Sequence, residues 1–162
     1  VATAPLSADG HVNMSPKGYD SFAILDANTV AYLDLGGSGV ETIAHVRENA
    51  RITIMFCAFE GAANILRLYG QGEAVCMGEP GFDALMALFP TFDRARAIIR
   101  IRLERITDSC GWGVPFYEFR GERDQLRRWV EARPIEEWAE RRYASNGQSI
   151  DGLTGLPESE TR

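Results

Sequence analysis

The stretch VAYLDLGGSGVETIAHVREN, residues Val30 to Asn49, joins a strand-like run to a helix-like run through a cluster of glycines. Its first six residues are mostly apolar or aromatic, as in a buried strand. After the glycines, Ser38 and Glu41 have the spacing of a capping box, which predicts Ser38 as the helix N-cap. Apolar residues then recur on one side of the predicted helix, namely Val40, Ile43, Ala44 and Val46. We therefore predict a strand, a glycine turn and a helix that ends near Asn49.

Most of the remaining apolar runs are also strand-like. They are the segments 1–6, 21–26, 51–59, 64–77, 95–109 and 113–119. Helical periodicity is found in segment 79–90 and in segment 121–146, which is broken at Pro134. The short connections favour hairpins and exclude a doubly wound parallel sheet, which needs helical crossovers throughout. The pattern predicts an α+β fold that is mainly β, a six-stranded antiparallel β-barrel with flanking helices.

The domain organisation predicted from the sequence is simple. No boundary divides the chain, so residues 1–155 are predicted to form a single domain. Residues 156–162 are polar and are predicted to form a disordered tail. Because the sequence begins with Val1 rather than Met, we expect further residues to precede it.

Composition excludes several classes of function. The net charge of −6 gives the chain no electrostatic attraction to nucleic acid or anionic lipid, and we predict neither partner. No apolar run approaches the roughly 20 residues that span a bilayer. The three cysteines, Cys57, Cys76 and Cys110, form no CxxC pair, which argues against a disulfide framework or a zinc site and makes the cytoplasm the predicted compartment.

The glycine turn has the chemistry of an anion site. Gly37 and Gly39 would let backbone amides approach a phosphate at the positive end of the following helix, and the hydroxyls of Ser38 and Thr42 would add donors. The stretch is not a Walker A loop, since no Gly-Lys-Ser/Thr follows, and Thr42 occupies the third position of the dinucleotide fingerprint. The alternative is a plain strand-to-helix turn in which glycines adopt positive φ and Ser38 serves as a cap.

The segment NMSPKGYD, residues 13–20, is a second candidate. Lys17 is one of two Lys or Arg residues before position 51, and a cation in so sparsely charged a region suits a phosphate. Pro16 fixes the local backbone, and Gly18 permits an unusual one. The alternative is a lysine in a solvent-facing turn.

Taken in order, segments 1–18, 28–35, the glycine turn with its helix, 51–59 and 66–74 resemble the pyridoxamine 5′-phosphate oxidase superfamily of flavin-binding split β-barrels. The resemblance covers roughly residues 1 to 78. Further along, segments 108–126 and 146–155 are similar to a subgroup of bacterial proteins related to that oxidase. The resemblance implies a split β-barrel that forms a homodimer, with FMN bound at the subunit interface.

The resemblance also implies the residues that contact FMN. Ser15, Pro16, Lys17 and Gly18 match the family's contacts to the flavin and its phosphate. Tyr32 and Leu33 match its contacts near the ribityl chain. The family's turn usually carries Ser, Arg and Lys on the phosphate, whereas this turn is GGSGVET. The phosphate would then depend on Lys17, on the hydroxyls of Ser38 and Thr42, and on helix amides.

The activity implied is an FMN-dependent oxidoreductase acting on a small substrate, with a deazaflavin as another possible cofactor. Trp112, between two glycines, is a candidate to reach the flavin or substrate; its alternative is a place in the core or the dimer interface. A second hypothesis is haem binding, for which His11 and His45 are the available imidazoles. A third is a flavin-binding dimer without catalysis. The catalytic residues are not predicted.

Overall fold

A computed structural model describes residues 1–156 of the chain. The elements in chain order are β1 (Ala2–Thr3), β2 (Asn13–Met14), β3 (Phe22–Asp26), β4 (Thr29–Asp34), α1 (Glu41–Asn49), β5 (Arg51–Cys57), β6 (Ile65–Cys76), α2 (Phe82–Met86), β7 (Ala97–Ser109), α3 (Gln125–Glu131) and α4 (Ile135–Ser145). Helices α1 and α2 interrupt the series of strands, and α3 and α4 follow the last strand.

The strands form a seven-stranded sheet in the order β2-β1-β5-β6-β7-β4-β3, in which each pair of neighbours is antiparallel. The antiparallel, mainly β architecture is therefore confirmed. The six-stranded barrel is not confirmed, because the strand order is open and β2 and β3 lie at its two ends. The strands also differ in place, because residues 13–14 form a strand with β1, whereas segment 113–119 forms none. Pro115 has no N–H to donate to a ladder within that segment.

Strand β4 brings the two apolar clusters of the molecule together. Side chains on successive residues of a strand point to opposite faces, so Val30 and Tyr32 enter one cluster while Ala31 and Leu33 enter the other. The first cluster includes Ile43 of α1, and the second includes Phe82 of α2. Because both of its faces are covered, β4 is a fixed platform for the glycine turn that follows it.

Helix α1 begins later than the capping-box spacing predicted. Its N-cap is Val40, which makes no side-chain capping hydrogen bond, so the assignment of Ser38 as N-cap is wrong. The Glu41 carboxylate faces the Gly39 backbone and accepts a hydrogen bond of 3.3 Å from the Ile150 N–H, a partner far along the chain. The helix ends at Asn49 as predicted, and Ala50 closes it with a left-handed φ of 61°.

The C-terminal segments pack against the start of α1. Helix α3 ends at Glu131, and Pro134 is the N-cap of α4, so the two helices are separated at the break predicted there. A bridge between Gln148 and Thr154 then returns the chain toward α1, and Leu156 is buried beside it. The predicted tail begins at this residue, and residues 157–162 lie outside the described part of the chain. None of the helices found in residues 1–156 has both the length and the apolar character needed to cross a bilayer.

Candidate functional site

A cavity of about 410 Å³ lies where the glycine turn after β4 meets the connection between β2 and β3. Nine of the eleven residues predicted from the sequence line it: Ser15, Pro16, Lys17, Gly18, Leu33, Gly37, Ser38, Gly39 and Thr42. The two candidate segments, weighed separately in the sequence, therefore line one cavity. Its volume falls in the range of small-molecule and cofactor pockets.

The other two predicted residues lie outside this lining. Tyr32 is 2% exposed and lines a neighbouring cavity of about 150 Å³ together with Lys17 and Gly18. Burial, with a further contribution from Asp34, raises the pKa of the Tyr32 hydroxyl well above its usual value, so this side chain stays neutral. Trp112 is 87% exposed, on the loop after β7, and the structure does not bring it to either cavity.

Lys17 is the cation at the front of the cavity. It is the sole lysine of the chain. Its Nζ lies 5.7 Å from the centroid of the Tyr32 ring, and no carboxylate among residues 1–156 forms a salt bridge with it. The residue is exposed, so its charge is free to meet an anionic ligand.

A buried ion pair forms the floor of the cavity. Asp34 is the last residue of β4, and Arg96 directly precedes β7. The Arg96 Nε and Nη2 atoms each donate to Asp34 at 3.1 Å, and Nη1 donates to Asn146 Oδ1 at 2.8 Å. Burial raises the pKa of the Asp34 carboxyl, but the charges of Arg96 and Lys17, together with the hydrogen bonds from Arg96 and the Gly36 N–H, outweigh it and hold that pKa below its usual value. Asp34 is therefore ionised at neutral pH.

Helix α4 supports the turn from the side opposite the cavity. Arg142 Nη1 donates to the Gly37 carbonyl oxygen at 2.7 Å, and Asn146 Nδ2 lies 3.4 Å from the same oxygen. The Arg142 guanidinium also stacks on the Trp129 ring, 4.3 Å from its centroid. The turn thus has a fixed position although its own residues are small.

Sequence reasoning missed these supporting residues. Arg96 interrupts an apolar run at the start of a predicted strand, which was a signal that it meets a buried partner. Asn146 and Arg142 gave no comparable signal, because polar residues on an amphipathic helix usually face water.

The comparisons with known proteins bear on this site. No family model matches the chain. The curated pyridoxamine 5′-phosphate oxidase family protein ustO of Aspergillus flavus is 36% identical over 174 residues, which cover 96% of this chain and 69% of that protein. The chain belongs to the pyridoxamine 5′-phosphate oxidase family. The resemblance inferred from the order of its segments is confirmed.

Two solved structures resemble the chain at the level of fold. The HupZ protein of Group A Streptococcus superposes with a TM-score of 0.52 and 24% identity, over 66% of this chain and 82% of that one. A single-substitution variant of HupZ gives 0.53 and 24%, over 67% and 87% respectively. At this identity the likeness shows a shared fold and nothing about the ligand.

The turn of this family member departs from the expected Arg and Lys, and the structure shows what stands nearby. Charged lining residues of the cavity are Lys17, Asp34, Glu41 and Arg96, two of each sign. A Cβ added to Gly37 would meet nothing within 4 Å, so the turn presents open backbone to the cavity. Backbone amides and one exposed lysine are a fitting donor set for a phosphate monoester.

The two histidines considered for haem lie outside the 410 Å³ cavity. His45 is fully buried in α1, where its Nδ1 pairs with the Thr3 hydroxyl at 3.0 Å and burial lowers its pKa. His11 lines an adjoining cavity of about 520 Å³, and its Nδ1 contacts Asp151 at 2.7 Å. The hydrogen bonds from His11 lower the pKa of the Asp151 carboxyl.

The cysteines give no sign of redox or metal chemistry. Cys57, Cys76 and Cys110 are free thiols. Cys76 is buried beneath α1, which raises its pKa to about 11 and keeps it a thiol at neutral pH. Within residues 1–156, no three His, Cys, Asp or Glu side chains group as metal ligands.

Proposed function

We propose that this member of the family binds FMN in the 410 Å³ cavity and uses it for redox chemistry on a small substrate. The observation that carries the proposal is the convergence of the Lys17 segment and the glycine turn on one cavity. Each segment alone had an ordinary structural explanation, but together they bring a free cation and open backbone amides to the same cavity. Such a pair suits a phosphate-bearing cofactor.

Different residues would hold the phosphate and the remainder of the cofactor. The phosphate would be held by the amides of the turn, the hydroxyls of Ser38 and Thr42, and Lys17. Leu33 offers apolar surface inside the cavity for the remainder of the molecule, and the neutral Tyr32 ring offers it in the neighbouring cavity of about 150 Å³. FMN supplies the electron-transfer chemistry when it is bound, so the protein needs few reactive side chains of its own.

The homodimer implied by the resemblance belongs to the same proposal. A set of aromatic side chains on one surface loop is exposed by 63% or more: Trp112, Phe116, Tyr117 and Phe119. Clusters of this kind on an isolated chain commonly mark an interaction surface. A second copy packed there would cover them and would give Trp112 a route to the neighbouring cavity. Light scattering during gel filtration should then report twice the mass of 17.9 kDa.

The test is a titration of the purified protein with FMN, followed by flavin fluorescence and by the absorption spectrum. We expect saturable binding that survives gel filtration. In Lys17→Gln, which removes the free cation, the affinity should fall by about tenfold or more, the value of one charge-assisted hydrogen bond. Arg102→Gln, which removes an exposed charge on β7 away from the cavity and from the aromatic loop, is the control and should bind as the native chain does.

Two results would contradict the proposal. One is a chain that binds no FMN at any concentration tested. The other is a Soret band on addition of haemin that depends on His11, with no flavin binding, which would favour the haem hypothesis instead. Retained flavin with no reduction by NADH or NADPH would favour the non-catalytic dimer.

A further inference from the structure

The peptide between Gly37 and Ser38 separates the cavity from helix α4. Its carbonyl oxygen accepts hydrogen bonds from Arg142 and Asn146, at 2.7 and 3.4 Å. A trans peptide is planar, with its N–H opposed to its C=O, so the Ser38 N–H points away from α4. Ser38 lines the cavity and Arg142 does not. By binding the Gly37 carbonyl oxygen, Arg142 therefore orients the Ser38 N–H toward the cavity, although Arg142 does not line the cavity itself.

The amides of this turn are free to bind an anion. The N–H groups of Gly37, Ser38 and Gly39 donate no hydrogen bond to any group in residues 1–156. Successive amides without partners, in a turn that leads into a helix, form a concave anion-binding surface. The Gly36 N–H is excluded from it, because it donates to Asp34 at 3.2 Å.

The charges behind the turn do not cancel. The Asp34 carboxylate is paired with Arg96 through two hydrogen bonds. No carboxylate among the described residues forms a salt bridge with Arg142. Arg142 instead stacks on Trp129. Its partial burial and the nearby Arg96 charge lower the pKa of its guanidinium, yet that group stays charged at neutral pH. The positive charge of Arg142 is thus not neutralised behind the turn. On the cavity side, the charge of Lys17 adds to the positive potential at the turn, and the charge of Glu41 opposes it.

We propose that Arg142 is the cation that positions and charges the phosphate site from behind, in the place of the Arg and Lys absent from the turn. It acts as a positioning residue, through the Gly37–Ser38 peptide and through its field, and it makes no contact with the ligand. The inference rests on the proposed function, since the anion is taken to be the phosphate of FMN. It predicts that Arg142 distinguishes FMN from riboflavin, which differ in that phosphate alone.

The experiment compares dissociation constants for FMN and riboflavin, measured by flavin fluorescence on full chains from which any copurified flavin has been removed. In Arg142→Gln, the FMN affinity should fall by about tenfold while the riboflavin affinity stays within about twofold, as expected for the loss of one charge-assisted contribution. Arg141→Gln is the matched control, because this neighbouring arginine faces Glu137 at 3.1 Å on the outer side of α4. It should keep the native preference for FMN.

The outcomes separate the two proposals. If the native chain binds neither flavin, the proposed function fails. If it binds FMN but Arg142→Gln keeps the native FMN-to-riboflavin ratio, or loses both affinities equally, the inference about Arg142 is overturned and the FMN site stands. Should Arg142→Gln not fold, Arg142→Lys decides, because it keeps a charge and a donor. A preference for FMN within about threefold of native supports the inference, and loss of that preference overturns it.

Discussion

The two sides of the glycine turn are built in opposite ways. The back is the side toward the cavity floor and α4, and the front is the side toward the open cavity. Behind it, Asp34, Arg96 and Asn146 are at most 5% exposed and bonded to one another, so their hydrogen-bonding groups are committed to the protein. In front of it, Lys17 and Ser38 are exposed. A buried ion pair is expensive to desolvate and fixes geometry, whereas an exposed cation keeps its hydration and its freedom. The comparison indicates that the back sets the shape of the site and the front meets the ligand.

The largest effect should come from breaking the pair behind the turn. Asp34→Asn leaves the Arg96 guanidinium buried without its counter-charge, and we expect a loss of about 3 kcal/mol in the free energy of unfolding. Urea denaturation measures it. The control is Glu73→Gln, which removes the carboxylate of an exposed pair with Arg100 and should cost less than about 1 kcal/mol. Equal losses in the two variants would show that the buried pair has no special role.

A smaller loss should follow from Asn146→Ala. This change removes the acceptor of Arg96 Nη1 and a donor near the Gly37 oxygen. A buried donor left unsatisfied costs roughly 1 to 3 kcal/mol, and we expect about 2. The same variant should also weaken FMN binding, since the turn loses support on its α4 side. A stability within about 0.5 kcal/mol of native would contradict the role of Asn146 as the buried partner of Arg96.

The buried His45 makes the stability of the chain depend on pH. Burial lowers the pKa of His45, so between that lowered value and the ordinary 6.5 the unfolded chain binds more protons than the folded one. Stability should therefore fall as the pH drops below about 6.5, by at most about 1.4 kcal/mol per pH unit, the full slope for one proton. Unfolding free energies at about pH 7.5 and about pH 5.5, on either side of the ordinary histidine pKa, measure it. His45→Gln should show the shallower dependence, and an unchanged slope in that variant would place the effect elsewhere.

The smallest effect is expected in front of the turn. Ser38→Ala would cost about 1 kcal/mol if Ser38 were the N-cap of α1, as its spacing with Glu41 suggested. Because Val40 is the N-cap and Ser38 is exposed, we expect a change below about 0.5 kcal/mol in unfolding free energy. Thermal denaturation with and without FMN separates the roles, since only the stabilisation by FMN should decrease. A full loss of about 1 kcal/mol in the free protein would restore the capping-box interpretation.

Sequence reasoning predicted the front of the site better than its back. Lys17 and the glycines were found because their residue types are unusual where they stand, a lone cation and a cluster of small residues before a helix. Arg96 and Asn146 were not, because their partners lie 62 and 109 residues away along the chain. No local pattern records such a pairing. The predicted start of α1 was wrong for a related reason. The Glu41 carboxylate accepts a hydrogen bond from the distant Ile150 N–H and does not form a capping box with Ser38.

The sequence by itself determined the antiparallel strands, the glycine turn, the end of α1 and the family, because alternation, glycine clusters and chain order are local or cumulative signals. Only the tertiary structure decided that seven strands form an open order, that the Lys17 segment faces the turn, and that α4 supports the turn from behind. Those features depend on contacts between distant residues. Their energies come from burial, and burial exists only after the chain has folded.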